Sequence, residues 1–233
     1  MTGVNKGAME EFEVDRTLRL FKTLGIASLY AGPTYWAICH YKDRLDVMNI
    51  SQAISERRSI KSFTDRVISP KEIERLIAAA VLAPNHRMTE PWRFYVLGPE
   101  ARAGFGRVLG HRKAKRVDRP DAKIAVVEKV EASHRDLPAM LAVAITLDEN
   151  PEIREEDYAA TYMAIQNLCL SALELGFGTH VKSGAVMDDP RAREAVGVRQ
   201  GERIIATIAV GEPAAVPDGK PRGSADQFTT WVP

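Results

Sequence analysis

The stretch that decides the fold is residues 155–175, EEDYAATYMAIQNLCLSALEL. Apolar side chains recur here with the i, i+3, i+4, i+7, i+8 spacing of one helix face, at Ile165, Leu168, Cys169, Ala172 and Leu173. Gly176 follows, and glycine is a common helix terminator. The length of the stretch and its many small side chains predict a long central helix that is buried on most sides.

Three apolar runs predict buried strands around this helix. They are RFYVL at 93–97, AMLAVAITL at 139–147 and ERIIATIAVG at 202–211. Branched and aromatic residues of the kind that strands favour dominate all three. The runs lie far apart along the chain.

Two further helical regions are predicted before and between these strands. Ser69, Pro70 and Glu72 are typical of a helix start, and Pro84 stops the apolar period that follows, which predicts about four turns. A charged helical region is predicted from Pro99 to about Arg135. Because helices and strands do not alternate tightly, the fold class is predicted to be α+β.

The overall charge argues against two classes of binding protein. The chain has 233 residues, with 32 basic and 31 acidic side chains, whereas generic nucleic-acid and membrane-surface binders need an excess of basic charge.

No apolar run reaches the roughly 18 residues that span a bilayer. Cys39 and Cys169 have no metal-ligand spacing and predict no disulfide. A cytoplasmic protein without a metal site is expected.

The first 47 residues differ from the rest, because their apolar pattern is irregular and interrupted by glycine and proline. We interpret 1–47 as an extension and 48–233 as the functional domain; an ordinary N-terminal helix packed on the domain is the alternative. The Pro/Gly-rich tail ends in FTTWVP. Its Phe228 and Trp231 would expose aromatic surface unless a partner subunit covers them.

The candidate binding residues begin with ERRSIKSF at 56–63. There is no glycine-rich phosphate loop of the usual spacing, so a bound phosphate would need side-chain ligands. Arg57 and Lys61 can converge on a dianion, Ser59 can donate a hydroxyl, and Arg58 can turn to a neighbouring polar group. Lys220 and Arg222 form a second basic pair in the tail. The alternative is that both groups are ordinary solvated surface charge.

Three stretches resemble the nitroreductase family of flavin enzymes. They are ISERRSIKSFTDRVISPKEIERLIAAAVLAPNHRMTEPWRFYVL at 54–97, YAATYMAIQNLCLSALELGFGTHVKSGAV at 158–186 and IIATIAVGEP at 204–213. The likeness covers nearly all of 48–233 and is greatest to the compact bacterial NAD(P)H nitroreductases. It implies a mixed or antiparallel sheet around the long helix, in a homodimer with FMN at the subunit interface, reduced by NADH or NADPH and reoxidised by an electron-poor acceptor such as a nitroaromatic or quinone.

The resemblance also assigns roles to residues. Arg57 and Ser59 correspond to ligands of the FMN phosphate, and Arg58 and Lys61 to positions toward the ribityl chain and ring. Lys220 and Arg222 resemble tail cations that close on the phosphate. His86 resembles a residue that contacts the flavin of the partner subunit. A segment of this chain resembles the part of the family that lies along the cofactor, and it consists of Val181, Lys182, Ser183 and Gly184. The family's hydride transfer needs no side-chain nucleophile, so we name no catalytic residue.

The sequence departs from the family pattern at two points. Met88 stands near a position where many members have a polar ring contact, and Val181-Lys182 replaces the tryptophan-arginine pair of the compact branch. Other functions on the same fold remain open, namely a flavin-dependent oxygen reaction, a reductive dehalogenation, or flavin binding without turnover. The basic stretch 107–123 is most simply a solvated helix face, although it could attract the extra phosphate of NADPH.

Overall fold

The computed structural model describes residues 48–233, so the predicted extension at 1–47 lies outside the described residues. Of the six α-helices in the described part, five begin at a proline, whose fixed φ suits a first helical turn. The helices are α1 (Ile50–Glu56), α2 (Pro70–Ala80), α3 (Pro99–Ala114), α4 (Pro120–Arg135), α5 (Pro151–Glu174) and α6 (Pro190–Val196). A short 3-10 helix, Ala225–Phe228, lies in the tail.

Four strands of the described chain form one sheet, in which every neighbouring pair is antiparallel. The strands are β1 (Trp92–Val96), β2 (Ala139–Thr146), β3 (Gly178–Lys182) and β4 (Glu202–Gly211). Their order across the sheet is β1-β2-β4-β3, so the two most apolar strands are central and β1 and β3 are edges. The predicted α+β class is confirmed.

Each face of the sheet packs against helices. On one face, Leu168 of the central helix α5 shares a core with Leu141 and Ile208 of the two inner strands, and all three are fully buried. On the other face, Phe105 of α3 packs with Met140 of β2. The predicted long buried helix is confirmed. It begins at Pro151, earlier than predicted, because the Asn150 side chain accepts a hydrogen bond from the Glu152 amide and caps it.

Three elements differ from their predicted form. The first strand is only half-buried, and its Val96 is 56% exposed, because β1 lies at the sheet edge. Helix α2 ends at Ala80 rather than near Pro84, because the chain tightens there into i→i−3 hydrogen bonds, from the Leu82 amide to Ala79 and from the Ala83 amide to Ala80. The charged region 99–135 is two helices, and Pro120, which cannot continue a helix, begins the second.

One titratable group is buried between the two charged helices. His134 of α4 is 4% exposed, and its Nδ1 lies 2.8 Å from the carbonyl oxygen of Val130. The approach to α3 is close, because a Cβ on Gly106 would lie 2.8 Å from that of His134. Burial lowers the pKa of His134, the hydrogen bond to Val130 opposes this, and the positive charge of Lys182 lowers the pKa further.

The burial of His134 predicts a loss of stability in mild acid. The unfolded chain binds a proton near the ordinary pKa of 6.5, and the folded chain binds it only at lower pH. The contribution of neutral His134 to the free energy of unfolding is therefore complete above pH 6.5. As the pH falls below 6.5, this contribution decreases by up to about 1.4 kcal/mol per pH unit. Urea unfolding measured at pH values below 6.5 should show a smaller loss of unfolding free energy for His134→Gln than for the wild-type protein. Equal losses in the two proteins would show that His134 does not cause the acid sensitivity.

Candidate functional site

The basic stretch lies between the end of α1 and the free edge of β3. Ser59 pairs with Thr179 in a parallel bridge, and the Ile60 amide donates a 2.9 Å hydrogen bond to the Thr179 carbonyl. Ile60 is buried against Gly178, where an added Cβ would lie 2.3 Å from its side chain. The stretch is thus held to the sheet by its backbone and by one apolar side chain.

The next residues of the stretch pair with the chain that leaves β4. Phe63 forms an antiparallel bridge with Pro213, the Thr64 amide donates to the Glu212 carbonyl at 2.9 Å, and the Ala214 amide donates to the Ser62 carbonyl at 3.1 Å. These bonds hold the first residues of the tail beside the basic stretch, although the two segments are far apart in sequence.

A cleft of about 790 Å³ separates the two segments. One wall is formed by residues of 54–62 and the other by residues of 215–222. The cleft brings together six of the predicted site residues: Arg57, Arg58, Ser59, Lys61, Lys220 and Arg222. The residue patterns indicate two separate basic groups, the resemblance implies that both bind one phosphate, and the structure places them in opposite walls of one cleft.

The cleft has a large local excess of positive charge. Five of its lining side chains are cationic, and Asp218 is the one carboxylate among the described residues that line it. Elsewhere, arginines such as Arg107 are paired with carboxylates. Most of the cleft cations make no ion pair and no side-chain hydrogen bond with any residue of 48–233; these are Arg57, Lys61, Lys220 and Arg222. Such a set can bind a phosphate dianion.

Arg58 differs from the other cleft cations because its guanidinium is already bonded. Its Nη1 donates to the Ser55 carbonyl at 2.6 Å and to the Arg57 carbonyl at 3.1 Å. The same guanidinium lies against Gly219 in the opposite wall. Arg58 therefore binds one carbonyl in the last turn of α1 and one just after the helix, and it contacts the tail. Its predicted direction toward a flavin stays a prediction.

The segment predicted to lie along a cofactor forms the second half of β3 and the turn after it. His180 and Lys182 lie opposite Ala209 and Thr207 of β4, on the face of the sheet that α3 covers. Burial lowers the pKa of both side chains. After burial, the positive charges of Lys182 and Lys61 also lower the pKa of His180.

Ser183 and Gly184 follow β3 and line a second cavity of about 450 Å³. The rings of Tyr158 and Tyr162 of α5 also line this cavity. Gly184 has φ 125°, which side chains rarely adopt, so the turn there favours glycine. Val181 is 37% exposed and faces away from the α3 side.

An arginine that sequence reasoning missed fixes the turn after β3. Arg203 of β4 donates through Nε and Nη2 to both carboxylate oxygens of Asp188, at 2.9 and 3.0 Å, and through Nη1 to the Tyr158 hydroxyl at 2.8 Å. The hydrogen bonds to Asp188, the strongest influence, raise the pKa of Arg203. No local pattern signals this group, because its members come from three separate elements.

His86 lies outside the cleft, in a loop attached to the first half of α5. Its Nδ1 is 3.1 Å from Glu156 Oε1, and Arg87 Nε donates to the other oxygen of the same carboxylate at 3.0 Å. Met88, with φ 50°, and Glu90, with φ 45°, adopt the left-handed region, which costs energy for such residues. Within one protomer, His86 is not brought together with the cleft cations.

The fold and the cleft define an α+β protein that can hold an anionic ligand beside a sheet edge. The model of the nitroreductase family matches residues 54–212. YfhC of Bacillus subtilis, named as a candidate NAD(P)H nitroreductase, is 35% identical over 178 residues, which cover 76% of this chain and 91% of YfhC. The chain belongs to the nitroreductase family, which is a family of oxidoreductases.

Solved structures agree with this membership. A nitroreductase-like family protein from Bacillus cereus is 29% identical, with a TM-score of 0.69, and the match covers 79% of this chain and 96% of that protein. The FMN- and NADPH-dependent nitroreductase NfnB of a Sphingopyxis strain (sphigopyxis sp. HMH) has a TM-score of 0.63 at 18% identity, over 79% and 99% of the two chains. The latter comparison supports the fold alone.

Two structural features of the described residues bear on other functions. In 48–233, no helix is both long and apolar enough to cross a membrane. The same residues contain no group of three His, Cys, Asp or Glu side chains that could hold a metal ion. The described cysteine, Cys169, is free and buried, and burial raises the pKa of its thiol.

Proposed function

We propose that the protein is an FMN-dependent oxidoreductase that transfers hydride from NADH or NADPH to an electron-poor acceptor such as a nitroaromatic or a quinone. The observation that carries this proposal is the cleft, in which four cations that have no ion pair within 48–233 come from two distant segments and line opposite walls beside the edge of β3. Membership of the nitroreductase family supports the same reaction class.

The residues of the cleft fit the phosphate of FMN. Arg57 provides a forked pair of donors, Ser59 provides a hydroxyl, and the two tail cations Lys220 and Arg222 complete the positive surroundings from the opposite wall. The cations have no competing carboxylate partner in the described chain, so binding a phosphate would not require an existing ion pair to break. Arg58 joins the walls through its contacts with α1 and Gly219.

The ring of FMN would lie along the free half of β3. Only the start of β3 is covered by Ser59 and Ile60, so the backbone from Val181 to Gly184 is the proposed contact. Bound FMN would supply hydride exchange between the dinucleotide and the acceptor, which would use one shared site in a ping-pong cycle. Lys61 and Lys182 supply positive charge that favours added negative charge on the cofactor.

We also propose that the working form is a homodimer. A single protomer leaves His86 outside the cleft, and the resemblance assigns His86 to the partner's flavin. The exposed apolar surface supports the proposal, because Phe228 is 80% exposed, Trp231 is 90% exposed, and Tyr162 and Met163 of α5 are 46% and 41% exposed. Contiguous exposed apolar patches mark interaction surfaces, and a partner subunit that covered these side chains would remove their apolar area from water.

The proposal is tested by the colour of the purified protein. We expect a yellow protein whose visible absorbance is bleached by NADH or NADPH without oxygen, and recovers when a nitroaromatic or a quinone is added. A yellow protein that neither dinucleotide bleaches would instead be a flavin-binding module without turnover. If the protein is colourless and takes up no added FMN, the proposed cofactor is wrong.

A further inference from the structure

A second concentration of positive charge lies at the junction of α3 and α4. Residues 107–123 contain seven Lys and Arg side chains and two acidic ones, whereas the whole chain is almost neutral, with 32 basic and 31 acidic side chains. The two helices pack side by side as a helical hairpin. The proposed flavin site does not use this charge.

The charge surrounds a cavity of about 340 Å³, which we call the hairpin pocket. Its apolar lining comes from Ala114, Ile124 and Val127, and Ile124 is 60% exposed although it is a large aliphatic residue. The polar lining consists of His111, Lys115, Lys123 and Glu128. An apolar floor with a basic rim suits a ligand that has a flat apolar body and an anionic group.

The lysines of the hairpin pocket are available for a ligand. Lys115 and Lys123 make no ion pair with another residue of 48–233, whereas Arg107, earlier on α3, is held by Glu131 through two hydrogen bonds of 2.9 and 2.6 Å. Glu128 is the one carboxylate among the described residues that line the pocket, so the two lysines outnumber it. The local charge therefore favours an anion.

Basic side chains also connect the hairpin pocket with the flavin site. Lys113 precedes the pocket residue Ala114 and is close enough to Lys182 of β3 to lower its pKa, in addition to the larger effect of burial. The pKa of His180, two residues before Lys182, is lowered first by burial and then by the positive charges of Lys182 and of Lys61 in the cleft. Basic side chains therefore lie near both halves of β3, with Lys61 following the bridge of Ser59 to Thr179 and Lys113 close to Lys182.

We propose that the hairpin pocket binds the adenosine 2′-phosphate end of NADPH, and that the enzyme therefore uses NADPH in preference to NADH. The inference rests on the proposed function, in which the nicotinamide visits the edge of β3. The 2′-phosphate is the group by which the two dinucleotides differ, and proteins accommodate it with cationic side chains. Lys115 and Lys123 would bind the phosphate, and the apolar floor would contact the adenine ring.

Flavin reduction tests this preference in the FMN-loaded protein. The variant Lys115→Gln/Lys123→Gln should lose about ten-fold or more in kcat/KM for NADPH, the size expected for losing charge-assisted hydrogen bonds, and much less for NADH. The matched control is Lys71→Gln/Lys129→Gln, which removes two exposed lysines outside the pocket and should leave the ratio unchanged. If the pocket variant keeps the wild-type ratio of kcat/KM for NADPH to kcat/KM for NADH, the inference is wrong.

Direct binding separates this inference from the proposed function. Calorimetry on the holoprotein should show that adenosine with phosphates on its 2′ and 5′ hydroxyls binds about ten-fold or more tightly than adenosine 5′-phosphate, and that the pocket variant loses the difference. This readout needs no turnover, so it still decides the matter if neither dinucleotide reduces the flavin. Equal affinities for the adenosine 2′,5′-bisphosphate and the adenosine 5′-phosphate would show that the hairpin pocket does not bind the 2′-phosphate. Tighter binding of NADH than of NADPH would show the same.

Discussion

The variant Arg57→Ala is expected to release FMN that the wild-type protein retains through purification. Arg57 lines the cleft, is only half-buried, and forms no side-chain bond with another residue of 48–233, so its donors are free for the phosphate. A hydrogen bond to a charged group contributes roughly 1.5 to 3 kcal/mol, and about 1.4 kcal/mol changes a Kd ten-fold. The Kd for FMN should therefore rise by about ten-fold to a hundred-fold.

This expectation is measured by titrating the apoprotein with FMN and following the flavin fluorescence. Arg57→Lys should fall between wild type and Arg57→Ala, because lysine keeps the charge but loses the forked donor pair. Arg75→Ala removes an exposed arginine of α2 outside the cleft and serves as the matched control. If Arg57→Ala binds FMN as tightly as Arg75→Ala does, the phosphate is not bound by Arg57.

The second large effect is expected at Gly178, the first residue of β3. A Cβ there would lie 2.3 Å from Ile60 Cγ1 and 2.7 Å from Ile60 Cβ, and real atoms do not approach so closely. Gly178→Ala should force Ile60 away from the sheet and cost about 1 to 3 kcal/mol of unfolding free energy, as overpacked cores do. Because Ile60 lies between Ser59 and Lys61, the same variant should bind FMN more weakly.

Urea unfolding and FMN titration together test the effect at Gly178. The control is Gly98→Ala, where an added Cβ meets no atom within 4 Å. FMN affinity should stay near the wild-type value, and the loss of stability should be smaller than in Gly178→Ala, because it comes only from the less favourable alanine at the N-cap of α3. Ile60→Ala in the Gly178→Ala background should recover part of the lost stability, since it removes the atoms that clash. A Gly178→Ala protein with wild-type stability and FMN affinity would show that the backbone pairing of Ser59 with Thr179 does not maintain the cleft.

The elements that sequence analysis predicted correctly have a signal inside their own residues. Helix α5 repeats its apolar face, β4 was predicted with its exact bounds, and the capping residues Ser69 and Glu72 marked the start of α2. Strand β3, GTHVK, was not predicted, because an edge strand with polar residues lacks an apolar pattern. Its pairing with β4 and with Ser59 depends on residues distant in sequence.

The site residues also divide into those with a local sequence signal and those whose position depends on distant residues. The chemistry of Arg57, Ser59 and Lys61 could be read from five adjacent residues, but the position of Lys220 and Arg222 opposite them depends on the pairing of Phe63 with Pro213. The bonds of Arg58 to the end of α1, and those of His86 to Glu156, arise from tertiary packing that no local pattern encodes. The FMN-binding roles of all the proposed residues remain predictions.

The pairing of the basic stretch with the tail also sets when the cofactor site can form during folding. The Thr64 side chain donates a hydrogen bond to Glu212 across 148 positions of sequence, and contacts of such long range form late because closing a large loop is entropically costly. The cleft cannot exist before β3 and β4 have joined the sheet. FMN is therefore expected to select molecules that are already almost fully folded, and to slow their unfolding without accelerating their folding.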